Sequence, residues 1–83
     1  MLRGKENLLP RVLDVKTCPE FHLLVTFKNG EKKFFDMKPL LTLPAYRNLP
    51  KVFNDVRVEY GTAVWPGDID ISPETLYLEG KPA

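Results

Sequence analysis

Three carboxylates within seven residues, Asp68, Asp70 and Glu74, are the densest group of potential metal ligands in the chain. Hard cations such as calcium bind through clustered oxygens. The chain has no Asx-rich loop with a central glycine and a terminal bidentate glutamate, and strand alternation plus a helix start account for all three positions, so no metal and no cofactor is expected. His22 is the only histidine and Cys18 the only cysteine. A zinc site needs further ligands, and a nucleophilic cysteine needs a base held beside it. Four residues across a Pro-Glu turn is not a spacing from which that pairing follows, so the chain is expected not to be an enzyme. Lys28, Lys32, Lys33 and Arg57 are the candidate nucleic-acid contacts, but no Gly-rich phosphate loop, helix-turn-helix or base-stacking signature accompanies them. A solvated, aggregation-resisting strand edge is the competing reading. Trp65 pairs a large apolar body with a polar tip, which suits a partner anchor as well as a core.

Twelve basic against eleven acidic residues in a chain of 83 give a net charge of +1, too small for a long-range field toward nucleic acid or anionic lipid. A domain of this size buries only about 60–65% of its unfolded surface, so one thin core is the most it can build. A lone thiol fits a reducing compartment. With no secretory apolar run and no stretch long enough to span a bilayer, the expected location is cytoplasmic.

Residues 1–9 show no period and read as a loose arm, with a single α+β domain over 10–83. Residues 11–16 alternate as a strand, placing Leu13 and Val15 on one face and Val12, Asp14 and Lys16 on the other. Residues 21–28 give the clearest strand, with Phe21, Leu23, Val25 and Phe27 on one face. Asn29-Gly30 suits a two-residue turn, after which residues 31–36 return antiparallel. That register sets Lys28 opposite Glu31, Val25 opposite Phe34 and Leu24 opposite Phe35. Because neighbouring side chains point to opposite sides of a sheet, one phenylalanine enters the core. The other, taken as Phe35 with Leu24, is left on the second face, so Leu24, Phe35 and Trp65 form the candidate partner interface.

Proline-interrupted residues 37–48 read as turns, and residues 50–55 as a short helix opened by Pro50. Residues 56–60 alternate with Val56, Val58 and Tyr60 inward, and Gly61-Thr62 turns the chain into residues 63–65. In residues 68–71 both isoleucines are expected inside and both aspartates outside. Ser72 is a candidate N-cap for a helix with Pro73 first and Glu74 beside its positive end. Leu76 with either Leu78 or Tyr77 docks it, and Gly80 and Pro82 end it. The resulting expectation is a small, mainly antiparallel α+β domain of order β-β-β-α-β-β-α.

The strings FxNGExKxFDMKPLL in residues 27–41 and VFNDVRVEYGTAVWPGDIDISPETLY in residues 52–77 resemble the bacterial domain-of-unknown-function family 2442. The resemblance implies a small α+β fold and supplies no catalytic residues. It suggests a partner, since some members look fused to a helix-turn-helix and others are encoded beside a small protein in suspected toxin–antitoxin pairs. Two functional readings follow. One is a non-catalytic, antitoxin-like interaction module that binds a small co-encoded protein or a second copy of itself. The alternative is a nucleic-acid-associated accessory acting through Lys28, Lys32, Lys33 and Arg57.

Overall fold

A computed structural model describes residues 9–83. The expected arm, Leu9 excepted, lies outside the described residues. The fold is α+β: β1 (Val12–Cys18), β2 (His22–Phe27), β3 (Lys32–Asp36), a helix α1 (Leu49–Val52), β4 (Arg57–Glu59), β5 (Thr62–Trp65), β6 (Ile69–Ile71), α2 (Pro73–Glu79) and β7 (Lys81–Pro82). Two 3-10 turns, Lys38–Thr42 and Pro44–Tyr46, each with proline in the first turn, fill the proline-interrupted stretch. The strands form two antiparallel sheets, one ordered β1-β2-β3-β7 and the other β4-β5-β6.

The first hairpin departs from the expected register by one residue. Leu23 stands opposite Phe35 and Leu24 opposite Phe34. The Phe27 N–H donates to the Glu31 carbonyl at 2.8 Å and the Gly30 N–H to the Phe27 carbonyl at 2.9 Å. The loop is therefore Lys28-Asn29-Gly30, with Gly30 left-handed at φ 92. This is a three-residue connection that ends on a left-handed residue, a conformation glycine enters without a Cβ clash. The extra loop residue reverses which phenylalanine faces inward. Phe35, 5% exposed, is in the core, and Phe34, 42% exposed, is outside.

Strand β1 carries a second change of parity. Val12 pairs with Phe27 and Asp14 with Thr26, so Leu13 is an unpaired bulge residue. A bulge lets two residues of one strand oppose one of its partner and so resets which side chains face in. Val12 is consequently buried on the core side with Val15, and Leu13, expected inward, is 58% exposed.

In the second sheet Glu59 pairs with Thr62, so the turn is Tyr60-Gly61 rather than Gly61-Thr62. Both residues have positive φ, 55 and 75, the pattern of a type I′ turn whose twist matches antiparallel strands. Tyr60, expected inward, sits at the tip and is 89% exposed. The β5–β6 connection turns through Gly67 and Asp68, both left-handed, so Asp68 belongs to the turn and β6 starts at Ile69. Ile69 and Ile71 are buried and Asp70 exposed, as the alternation requires.

Each sheet contributes one face to a shared core. Leu23, Val25, Phe27 and Phe35 come from the first; Ala63, Trp65, Ile69 and Ile71 come from the second; Met37, Leu49, Phe53 and Leu76 fill between them. The sheets are tied where the Val12 N–H donates to the Gly61 carbonyl at 2.9 Å. The Ser72 hydroxyl accepts from the Thr75 N–H at 3.1 Å and caps α2, satisfying a donor the helix itself leaves free. Leu76 is fully buried and Tyr77 packs edge-on against Phe27, whereas Leu78 is exposed. The chain then adds β7 along β3, a strand not expected from the sequence. Gly80 makes this reversal with an ordinary φ of −73. Its requirement is space, since a Cβ there would lie 2.5 Å from the Leu76 carbonyl oxygen.

Left-handed backbone costs a residue with a Cβ about 1–2 kcal/mol, and asparagine tolerates it best after glycine. Tyr60→Asn is expected to raise stability by about 0.5–1 kcal/mol although it deletes an aromatic ring, read from urea midpoints at unchanged m-value.

Candidate functional site

The registers of the first sheet set out its outer face in three rows. Across the middle run Lys16, Leu24, Phe34 and Lys81. On one side lie Asp14, Thr26 and Lys32, and on the other Cys18, His22 and Asp36. At the latter end the face opens into a groove of about 440 Å³ whose lining includes Phe34, Leu40 and four ionisable residues, His22, Asp36, Glu79 and Lys81. Only the Leu24–Phe34 pair makes the centre apolar.

Of the expected partner interface, Leu24 lies on this face, half-buried. Phe35 is in the core for the reason of register given above, and Phe34 occupies the place assigned to it. Trp65 is 2% exposed. Its indole N–H donates to the Phe53 carbonyl at 2.9 Å and its ring stacks on Phe53 at 6.4 Å, so both the apolar body and the polar tip are satisfied internally. The three residues thus do not form one surface. Asn29-Gly30 is compatible with loops of two or three residues, and that ambiguity hid Phe34.

The expected nucleic-acid contacts are separated as well. Lys33 is on the core side of β3, opposite Val25. Its ammonium donates to the Tyr77 carbonyl at 2.6 Å and lies 3.9 Å from the centre of the Tyr77 ring. Arg57 is on the second sheet, paired with Glu59. Lys28 stands in the turn, and Lys32 alone of the four is on the outer face. The electrostatic footprint of a nucleic-acid site needs clustered cations on one face, and the fold distributes these over three.

Cys18, His22 and Asp36 do share a row. The His22 Nδ1 lies 3.1 Å from the Glu20 carbonyl and Nε2 lies 3.9 Å from Asp36, with no hydrogen bond to the thiol among the described residues. Asp36 also faces the Lys38 ammonium at 3.7 Å. The row therefore lacks the nucleophile–base contact that acyl transfer requires. Asp68, Asp70 and Glu74 occupy a turn, a strand and a helix start, and among the described residues no group of three or more His, Cys, Asp or Glu side chains is placed to hold a metal ion.

The profile of the family described as "Protein of unknown function (DUF2442)" matches residues 12–82. The chain belongs to this family. No curated protein matches it, and no solved structure does. The match takes in both sheets, α2 and the short β7, so the whole outer face lies within the DUF2442 region. Among the described residues no helix is long and apolar enough to cross a membrane.

Tyr77 fastens α2 to the first hairpin. Its hydroxyl donates to the Glu31 carboxylate at 2.6 Å, which also accepts from the Asn29 amide at 2.7 Å. The Tyr77 hydrogen bond holds the Glu31 carboxyl below its ordinary value of 4.5, and the same bond pushes the Tyr77 hydroxyl above 10.0. A lowered carboxyl stabilises the fold above its unfolded value, and that contribution is lost as pH falls through the folded one; a raised hydroxyl stabilises below its unfolded value and loses the contribution as pH rises through the folded one. Glu31→Gln is therefore expected to flatten the acid limb between about pH 5 and pH 3, where the wild type loses stability. Urea midpoints across that range check it, and parallel wild-type and variant limbs would contradict it.

Proposed function

We propose that this DUF2442 chain is a non-catalytic protein-interaction module of the cytoplasm, antitoxin-like in that its partner is a small co-encoded protein. The observation that carries the reading is the Leu24–Phe34 pair at the centre of a sheet face that no described element covers. A half-exposed phenylalanine beside a leucine withholds apolar surface from the core at about 25 cal/mol per Å². Unlike Leu13, Tyr60 and Leu78, which are exposed in a bulge, at a turn tip and near a helix end, Phe34 stands beside a second apolar side chain on a sheet face, which supports its being taken up by another molecule. The rows that surround the pair offer no nucleophile–base contact and no metal cluster, which supports binding over catalysis.

The nucleic-acid alternative draws less support, because Lys33 is committed to Tyr77 and Arg57 to Glu59. Of the four expected contacts only Lys28 and Lys32 lack such partners among the described residues, and any affinity for polyanions would fall steeply with salt.

Co-expression with the product of the adjacent gene tests the reading. Native mass spectrometry of the purified chain is expected to show a stoichiometric complex that survives moderate salt. Recovery of the chain alone, under mild conditions and with the neighbouring product soluble, would contradict it.

A further inference from the structure

The outer face of the first sheet has a size and a charge pattern that select among occupants. Four strands spaced about 4.8 Å apart make it roughly 14 Å wide, and a rise of about 3.3 Å per residue makes it roughly 20 Å long. That is a projected footprint of roughly 300 Å². A single helix about 10–12 Å across and about 14 residues long covers it.

The apolar centre is bracketed by cations. In the middle row Leu24 and Phe34 stand between Lys16 and Lys81, and Lys32 flanks Phe34 along β3. None of these three lysines has an ion-pair partner among the described residues, whereas Asp36 on the same face is engaged by Lys38. Asp14, at the β1 corner, and Glu79, which lines the groove beside Lys81, are left without such a partner among the described residues. An occupant that complements this pattern has an apolar stripe for Leu24 and Phe34 and carboxylates along both flanks of the stripe.

We infer that the outer face docks an acidic amphipathic helix of a partner protein, with apolar side chains on Leu24 and Phe34 and carboxylates reaching Lys16, Lys32 and Lys81. This rests on the interaction reading above and names the partner's chemistry. Among the described residues a second copy of this chain does not supply such a helix. The middle of α2, Leu76, is buried in the core, and its seven residues carry two carboxylates, Glu74 and Glu79. Coulomb attraction at a solvated rim fixes orientation and encounter more than affinity, so the apolar pair supplies most of the binding.

The test uses two fluorescent amphipathic peptides of about 14 residues with one leucine stripe, flanked by glutamates in the first and by lysines in the second. By anisotropy the glutamate peptide is expected to bind the folded chain at least about tenfold more tightly than its lysine twin, and Phe34→Glu to weaken it by at least about tenfold. The double variant Lys16→Glu/Lys81→Glu, which leaves the apolar pair intact, is expected to invert the preference. Equal binding of the two peptides, no binding of either, or indifference to Phe34→Glu would overturn the inference. So would displacement of the glutamate peptide by a single-stranded DNA oligonucleotide at lower concentration. If the co-expressed neighbour still forms its complex with both face variants, the docking surface is elsewhere and the interaction reading stands. If no complex forms with the unaltered chain, it is that reading which fails.

Discussion

A left-handed glycine at the tip of the first hairpin governs most of what this fold presents to core and solvent. Gly30 closes a three-residue loop, and that loop length pairs Leu23 with Phe35. Side chains alternate along a strand, so the register cannot be altered locally: moving it by one residue would bring Phe34 inward and expose Phe35 along with the whole pattern of β3. The bulge at Leu13 performs the matching adjustment on β1 and returns Val12 to the core side above Phe27. With both in place, β1, β2 and β3 bury Val12, Leu23, Val25, Phe27 and Phe35 on one face and leave Leu24 and Phe34 on the other.

The aromatic residues that close the core use their polar tips on partners within the same chain. The Trp65 indole donates to Phe53, and the Tyr46 hydroxyl donates to the Asp70 carbonyl at 2.8 Å, joining the 3-10 segment to β6. Burial raises the Tyr46 hydroxyl, with the nearby Asp70 charge adding to it, so this clamp stays neutral and able to donate at physiological pH. Tyr77 serves α2 in the same manner through Glu31. Of the three only the Trp65 donor is buried, and leaving it unpaired would forfeit about 1–3 kcal/mol. Trp65, Tyr46 and Tyr77 are thus engaged within the chain, whereas Tyr60, at the hairpin tip, is exposed, and Phe34 has no polar tip to satisfy.

Much of this was legible in the residues. Alternation in Ile69-Asp70-Ile71 and in Leu23 through Phe27 identified strands and their inward faces, and Ser72-Pro73 identified a helix start, because period and capping chemistry are local. What was not legible depended on connections. Asn29-Gly30 permits two loop lengths with opposite consequences for Phe34 and Phe35. Tyr60 gives no hint that it adopts a left-handed turn, since Gly61 beside it carries the familiar signal. The bulge at Leu13 interrupts an alternation that reads as regular, and β7 is two residues whose pairing with β3 is imposed by tertiary packing. The candidate site inherits this division: the outward side of Leu24 follows from its strand, that of Phe34 depends on the loop, and the placements of Lys33 and Arg57 depend on ring, carbonyl and carboxylate partners brought near only by folding.

Placing the interaction surface on the outer face depends, in the end, on which of two adjacent phenylalanines points outward. Because the Phe27 N–H bonds to the Glu31 carbonyl, alternation makes Leu24 and Phe34 a non-hydrogen-bonded pair, whose Cα atoms approach to about 4.5 Å. Cross-strand Hα–Hα nuclear Overhauser effects read this directly in solution. The structure predicts a strong contact between the Leu24 and Phe34 Hα protons; a strong contact of Val25 with Phe34 instead would mean the two-residue register and would move the surface proposed here.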